Sequence, residues 1–378
     1  MLISQKHLFT IDENIHYLNC AYMAPILKSC ENASIKAIKE IRNPYTFNPE
    51  KFFSISDDVR TEFSKIIQSK ANEVAIMPST SYGFSNALNN IKKNSKKTNA
   101  ITIENEFPSG YFSIKKWTET NDKKLIVINR NNLSAQQWNQ KIIESITDET
   151  SVVLASSIHW MNGTKLDLKK IGEKCKSTDT YFIVDGTQSV GAIPINVKEL
   201  NIDALICASY KWLFGPYSMA LGYFSEKFNT GIPIEESWMN RSNAKDFSNL
   251  TNYDTNYKPN AGRYNVGQTS NFILSPIMLE GLKQINKWGV ENIYKYCSKL
   301  FDTLKINCQN IDVSFEHYDY FSPHLFSLGL PNNTNPKELK EKLDKNKVYV
   351  SLRGNNLRIS LNVFNNIEDI EKLVEIIK

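Results

Sequence analysis

The chain of 378 residues has five histidines and six cysteines. The cysteines, at 20, 30, 175, 207, 297 and 308, form no C-x-x-C pair and no metal-ligand spacing. That pattern gives no sign of a cysteine-held metal, and reduced thiols in a cytoplasmic protein are the expectation. No run of about eighteen apolar residues occurs, so no membrane helix is predicted. The opening stretch MLISQKHLFTIDENIHYL lacks a long apolar region and a small-residue cleavage site, so no secretory signal is expected. Charge of one sign is also scarce. Lys and Arg total 45 against 40 Asp and Glu, a net +5, and they are spread along the chain except for KKNSKK ending at Lys97. A solvated loop fits that run better than a nucleic-acid contact. No internal repeat of solenoid length is visible.

What is present is an ordinary soluble composition, 41% hydrophobic and 22% charged, on a length that suits one large domain plus a smaller one. Short β-branched runs (EVAIMPS, AITI, KKLIVI, SVVLASS, YFIVD, DALICASY) alternate with stretches of helical spacing such as 59–68. This order predicts a doubly wound, mostly parallel α/β sheet. HYLNCAYMAP reads as a strand ending at Pro25, and 226–262 as a polar loop excursion with little periodicity. From about residue 279 the pattern changes to helix, helix, a strand near SFEHYDYFSPHLFSLGL, helix, the strands VYVSLRG and NLRISL, and a last helix. The expected organisation is therefore an arm over 1–17 packing with the small domain, a large domain over 18–278 and a small α+β domain over 279–378.

The most informative stretch is 181–215. YFIVD ends at Asp185 before Gly186, and DALICASY delivers Lys211 at its carboxyl end, where open α/β sheets place ligands. A carboxylate and a lysine at neighbouring strand ends are what pyridoxal phosphate (PLP) requires, one to keep the pyridine nitrogen protonated and one to hold the aldehyde. Without further signals, a lysine after a hydrophobic strand is more often a solvated residue than a catalyst. In PSTSYGFSNALNNI, the hydroxyls of Ser79, Thr80 and Ser81 stand where a strand gives way to a helix. They could hold a phosphate or simply cap the helix.

D-G-x-Q-x-x-G from Asp185, followed by A-S-Y-K-W-L-x-G-P across Lys211, resembles the class V branch of fold-type I PLP enzymes. That branch includes cysteine desulfurases, selenocysteine lyases, kynureninases and isopenicillin-type epimerases, and the resemblance runs over nearly the whole chain. It implies that 18–278 binds PLP and that Lys211 forms the Schiff base, with Asp185 on the ring nitrogen and Gln188 near the phenolic oxygen. Thr80 and Ser81 would form the phosphate cup, with Ser209 and Tyr210 beside it, while Phe107 would stack on the ring. In R-Y-N-V-G-Q-T, Gln268 or Thr269 would reach the partner's phosphate across a homodimer interface. Arg358, in N-L-R-I-S-L, aligns with the arginine that clamps the substrate α-carboxylate, and Arg353 is a second candidate. Among His159, Trp160 and Asn162 the inward-facing residue stays open; His159 and Asn162 are taken as substrate contacts.

The resemblance further implies an amino acid as the small-molecule substrate, Lys211 as the base, and a quinonoid carbanion from which the reaction branches. No cysteine follows Cys308, and only Ser351 lies where a desulfurase carries its persulfide cysteine. A usual cysteine desulfurase is therefore not expected. An aminotransferase, an amino-acid epimerase and a kynureninase-like or C–S β-lyase remain, alongside a non-catalytic PLP-binding regulatory module. No metal and no nucleic-acid partner is expected.

Overall fold

The computed structural model describes residues 2–315, 318–330, 334–354 and 356–378. The chain opens with β1 (His16–Tyr17), then α1 (Lys28–Ile41) and α2 (Lys51–Ile66). There follow β2 (Val74–Met77), α3 (Thr80–Asn89), β3 (Asn99–Ile103), α4 (Pro108–Thr120), β4 (Lys124–Ile128), α5 (Ala135–Ser145), β5 (Thr150–Ser156), α6 (Leu168–Ser177), β6 (Tyr181–Asp185), β7 (Ala204–Ala208) and β8 (Ala220–Phe224). The remainder carries α7 (Leu274–Trp288), α8 (Val290–Asn307), β9 (Leu325–Gly329), α9 (Pro336–Lys345), β10 (Val348–Tyr349), β11 (Ser351–Arg353), β12 (Asn356–Ser360) and α10 (Ile367–Ile377).

Seven strands form one sheet in the order β2-β8-β7-β6-β5-β3-β4, parallel throughout except β8, which runs antiparallel to both its neighbours. Because side chains alternate along a strand, each strand feeds two apolar layers. Val153, Phe182 and Leu205 enter one; Leu154, Ile183 and Ile206 enter the other. Phe84 of α3 and Trp117 of α4 cover the second layer, whereas Trp138 of α5 and Ile171 of α6 lie in the first. Burial on both faces explains why β5 to β7 read as continuous apolar runs. It also leaves the carboxyl edge of the sheet as the place where polar side chains collect.

Some details differ from the sequence expectation. β8 was not foreseen, because ALGYF follows a Gly-Pro turn and has no helix before it to announce a crossover. The strand expected through HYLNCAYMAP is limited to His16–Tyr17, which pairs in parallel with β10. Beyond it the backbone turns over the end of β7, with the Ala24 N–H donating to the Tyr210 carbonyl at 3.0 Å. VYVSLRG is two strands, since β10 pairs with β1 while β11 pairs with β12 in a three-stranded antiparallel sheet completed by β9. The strand expected near SFEHYDYFSPHLFSLGL is β9, at its far end, and residues 316–317 of that stretch lie outside the described residues.

Candidate active site

At the carboxyl edge of the large sheet lies a cleft of about 430 Å³ whose wall includes Thr80, Ser81, Phe107, Asp185, Gln188 and Lys211. β6 and β7 are adjacent and parallel, so Asp185 and the loop bearing Lys211 emerge side by side. Asp185 is 4% exposed and accepts the Thr187 N–H at 2.8 Å. Burial raises its pKa, opposed by the Thr187 hydrogen bonds and by the charge of Lys211. A cation placed in the cleft would reverse that penalty.

Lys211 is 6% exposed, and burial lowers its pKa to about 8; Asp185 opposes the shift, while Arg358 and Arg353 add to it. An appreciable fraction of neutral, nucleophilic amine is thus present near neutral pH. Its Nζ stands 5.8 Å from the Phe107 ring centre and 5.5 Å from that of Tyr210. The turn after β7 is tight: Gly215 N–H donates to the Ser209 carbonyl at 3.0 Å, and a Cβ at Gly215 would lie 2.7 Å from both Ser209 Cβ and Met278 Sδ. Only glycine permits this approach.

Opposite, Ser79 caps α3 by accepting the Tyr82 N–H at 3.2 Å. Thr80 and Ser81 follow in the first turn at the cleft wall; the Ser81 hydroxyl lies 2.9 Å from that of Ser79, and these hydroxyls with the helix-end N–H groups make a donor set suited to a phosphate. Gln188 is fixed at both ends, donating to the Ala21 carbonyl at 3.2 Å and accepting the Trp212 indole N–H at 2.8 Å; one amide hydrogen remains. Its own carbonyl meets Nε2 of His324 at 2.7 Å.

The other expected residues are placed differently. Ser209 turns away from the cleft, its hydroxyl donating to the Pro216 carbonyl. His159 is buried with its ring nitrogens against the Glu104 carbonyl at 3.1 Å and Asn162 Oδ1 at 3.0 Å, so the imidazole is held between the segment after β3 and its own turn. Trp160 is the member of that trio at the cleft wall, edge-on to Phe107 at 5.6 Å. Gln268 is exposed with a left-handed backbone (φ 57°), and Thr269 is buried with its Oγ1 unpartnered; neither lines the cleft. Arg358 lies behind Trp160, donating from Nη1 to the Trp160 carbonyl at 2.8 Å, with Nε unpartnered. Burial, then Arg353, lowers its pKa to about 9.

Sequence reasoning missed Glu106, a carboxylate buried beneath Phe107, and Ser156, Thr187 and Tyr217 on the cleft wall. Glu106 could have been noticed as a charge directly before the ring-stacking position. The others are ordinary polar residues at strand ends and carry no signal.

A carboxylate, a lysine with lowered pKa, an aromatic ring and a hydroxyl-lined helix end in one cleft fit PLP, group for group. Residues 26–373 match the aminotransferase class-V family, and the chain belongs to it. Its cofactor is therefore pyridoxal phosphate, and the protein is an enzyme. The chain is 26% identical to the uncharacterised aminotransferase YcbU of Bacillus subtilis over 279 residues, 71% of each chain. It is 22% identical to the kynureninase of Shouchella clausii over 305 residues, 78% of this chain and 70% of that one. The cystine C-S lyase C-DES, solved with its product cysteine persulfide, superposes with a TM-score of 0.85 at 16% identity over 97% of both chains. That last likeness shows the fold.

Proposed function

We propose that the protein transforms an α-amino acid by proton chemistry centred on Lys211, with transamination as the leading reaction. The observation carrying this reading is the shared cleft of Asp185 and Lys211, both buried, the lysine with its pKa lowered to about 8. When bound, PLP supplies an electron sink for charge developing at the substrate α-carbon. Asp185 would keep the heterocycle protonated, and Phe107 would hold its face. Thr80, Ser81 and the start of α3 would hold the phosphate. Tyr210 and the remaining Gln188 N–H would contact its edges. Lys211 would take the α-proton and return it elsewhere. Arg358 would receive the substrate carboxylate once Trp160 yields, a role suited to a planar guanidinium.

Epimerisation would return the proton to the opposite face of the α-carbon. A β-lyase reaction is the second reading, favoured by kynureninases among the relatives. Desulfuration through a persulfide is not favoured, since all six cysteines are buried and burial pushes Cys20, the one beneath Lys211, up to about 12.

The protein would act as a homodimer, a reading supported by exposed Tyr22, Met23 and Ile26 beside the cleft loop and by the unpartnered Thr269 Oγ1 near exposed Gln268. Six unpaired thiols support a reducing, cytoplasmic setting. No helix among the described residues is long and apolar enough to cross a membrane.

The test is reconstitution with PLP followed by a panel of amino acids, reading α-proton exchange and product mass together. A visible band that Lys211→Ala abolishes and that amino acids change supports the proposal. A band indifferent to every amino acid would instead indicate an inert PLP-binding module.

A further inference from the structure

Glu106 is an unusual residue to find beneath a cofactor cleft, being 4% exposed at the turn between β3 and α4. Its Oε1 accepts the Phe107 N–H at 2.6 Å and the Ser156 hydroxyl, and its Oε2 accepts the Ser156 N–H at 2.6 Å. Three donors converge on two oxygens. Burial and then the charge of Asp185 push its pKa up to about 7, while those donors hold the charge in place. Space for the side chain comes from Gly110, where a Cβ would stand 3.3 Å from Glu106 Cγ and 3.0 Å from Leu154 Cδ2.

The two segments that Glu106 joins both reach the cleft. Phe107 is the residue before Pro108 at the start of α4, where no side chain caps the helix. Its backbone direction therefore depends on Pro108 and on the Glu106 carboxylate. Ser156 ends β5 and is the register partner of Asp185 on β6. Glu106 thus ties the strand beside the carboxylate to the backbone that aims the aromatic ring.

Resting on the PLP reading above, we infer that Glu106 is a positioning residue for the cofactor. It sets the height and tilt of the Phe107 ring over the heterocycle by gripping Phe107 from one side and Ser156 from the other. It touches neither cofactor nor substrate. An aromatic face held by a fixed backbone loses little freedom on binding, which is how such a grip raises affinity.

The inference is tested with a double-mutant cycle on PLP affinity and on the visible circular dichroism of the bound cofactor, using the full chain. Glu106→Gln keeps the shape but turns an N–H group toward the Ser156 N–H, donor against donor. We expect it to weaken PLP binding about tenfold and reduce the dichroic signal. In a Phe107→Ala background the same change should weaken binding less than about twofold, because the ring it positions is gone. Ser156→Ala, which removes the hydroxyl contact alone, should repeat the pattern with a smaller step and serves if Glu106→Gln does not fold. An equal penalty in both backgrounds, or none in either, overturns the inference. Failure of the unmutated protein to bind PLP overturns the cofactor reading together with it, and the two failures are told apart by that first measurement.

Discussion

Arg358 donates from Nη1 to the main-chain carbonyl of Trp160 at 2.8 Å, so the guanidinium is held immediately behind the indole that walls the cleft. Its other hydrogen bond is to the Ser351 hydroxyl at 3.4 Å, Arg353 donates to the Leu352 carbonyl, and neither arginine has a carboxylate partner among the described residues. An uncompensated cation that is 2% exposed is costly to keep, and a substrate carboxylate would relieve it.

Replacing the guanidinium should therefore separate function from stability. Arg358→Met is expected to bind PLP normally but to lose the spectral response to amino acids, with an apparent affinity at least about 100-fold weaker. Its stability should not fall, and a gain of about 1 kcal/mol is expected from removing the buried charge. Cofactor titration, amino-acid titration and thermal melting are the three measurements; a destabilised variant with unchanged amino-acid affinity would count against this role.

The lowered pKa of Lys211 has a defined sign. Below about pH 8 the amine is protonated and cannot attack the cofactor aldehyde, so attachment of PLP to the apoprotein should accelerate as pH rises through about 8 and then level off. The same shift makes the unfolded chain bind more protons than the folded one between about 8 and 10.5. Lys211 therefore destabilises the apoprotein fully below pH 8, and that contribution is relieved as pH rises across this window. Stopped-flow mixing at a series of pH values, and melts of apo Lys211→Met beside the unmutated apoprotein, check both halves.

Gly215 should tolerate no side chain. Gly215→Ala places a methyl 2.7 Å from Ser209 Cβ and Met278 Sδ, which forces the Lys211 turn to shift. We expect about 1–3 kcal/mol of destabilisation and a weakened or absent visible band, read by denaturant unfolding and absorbance.

His324 provides an acid limit. It is buried and neutral, its pKa lowered to about 4 by desolvation, with Nε2 donating to the Gln188 carbonyl at 2.7 Å and Nδ1 accepting the Ser322 hydroxyl at 2.6 Å. The unfolded chain binds a proton from about pH 6.5 downward and the folded one only near 4, so stability is lost as pH falls across that interval. His324→Ala should flatten this part of the pH–stability curve. It should also weaken PLP binding by loosening the Gln188 turn, an effect seen by cofactor titration at pH 7.5.

Much of the fold was legible because the relevant signals are local. Alternating apolar runs and amphipathic helices specify layers wherever a sheet is buried on both faces, and YFIVD and DALICASY are of this kind. β8 escaped notice because an antiparallel return strand needs no crossover helix. The split of VYVSLRG between two sheets depends on which distant strand pairs with each half.

The amino-acid sequence by itself determined the parallel sheet, the positions of Asp185 and Lys211 at strand ends, and the hydroxyl-rich start of α3, since each follows from near neighbours in the chain. Tertiary structure decided which side chains face inward. Trp160 lines the cleft while His159 and Ser209 turn to carbonyls, Arg358 stands one layer back, and Glu106 bridges β3 and β5. Side-chain direction at the end of a strand is set by the partner its polar atoms find, and apart from Pro216, seven residues beyond Ser209, those partners lie tens to hundreds of residues away.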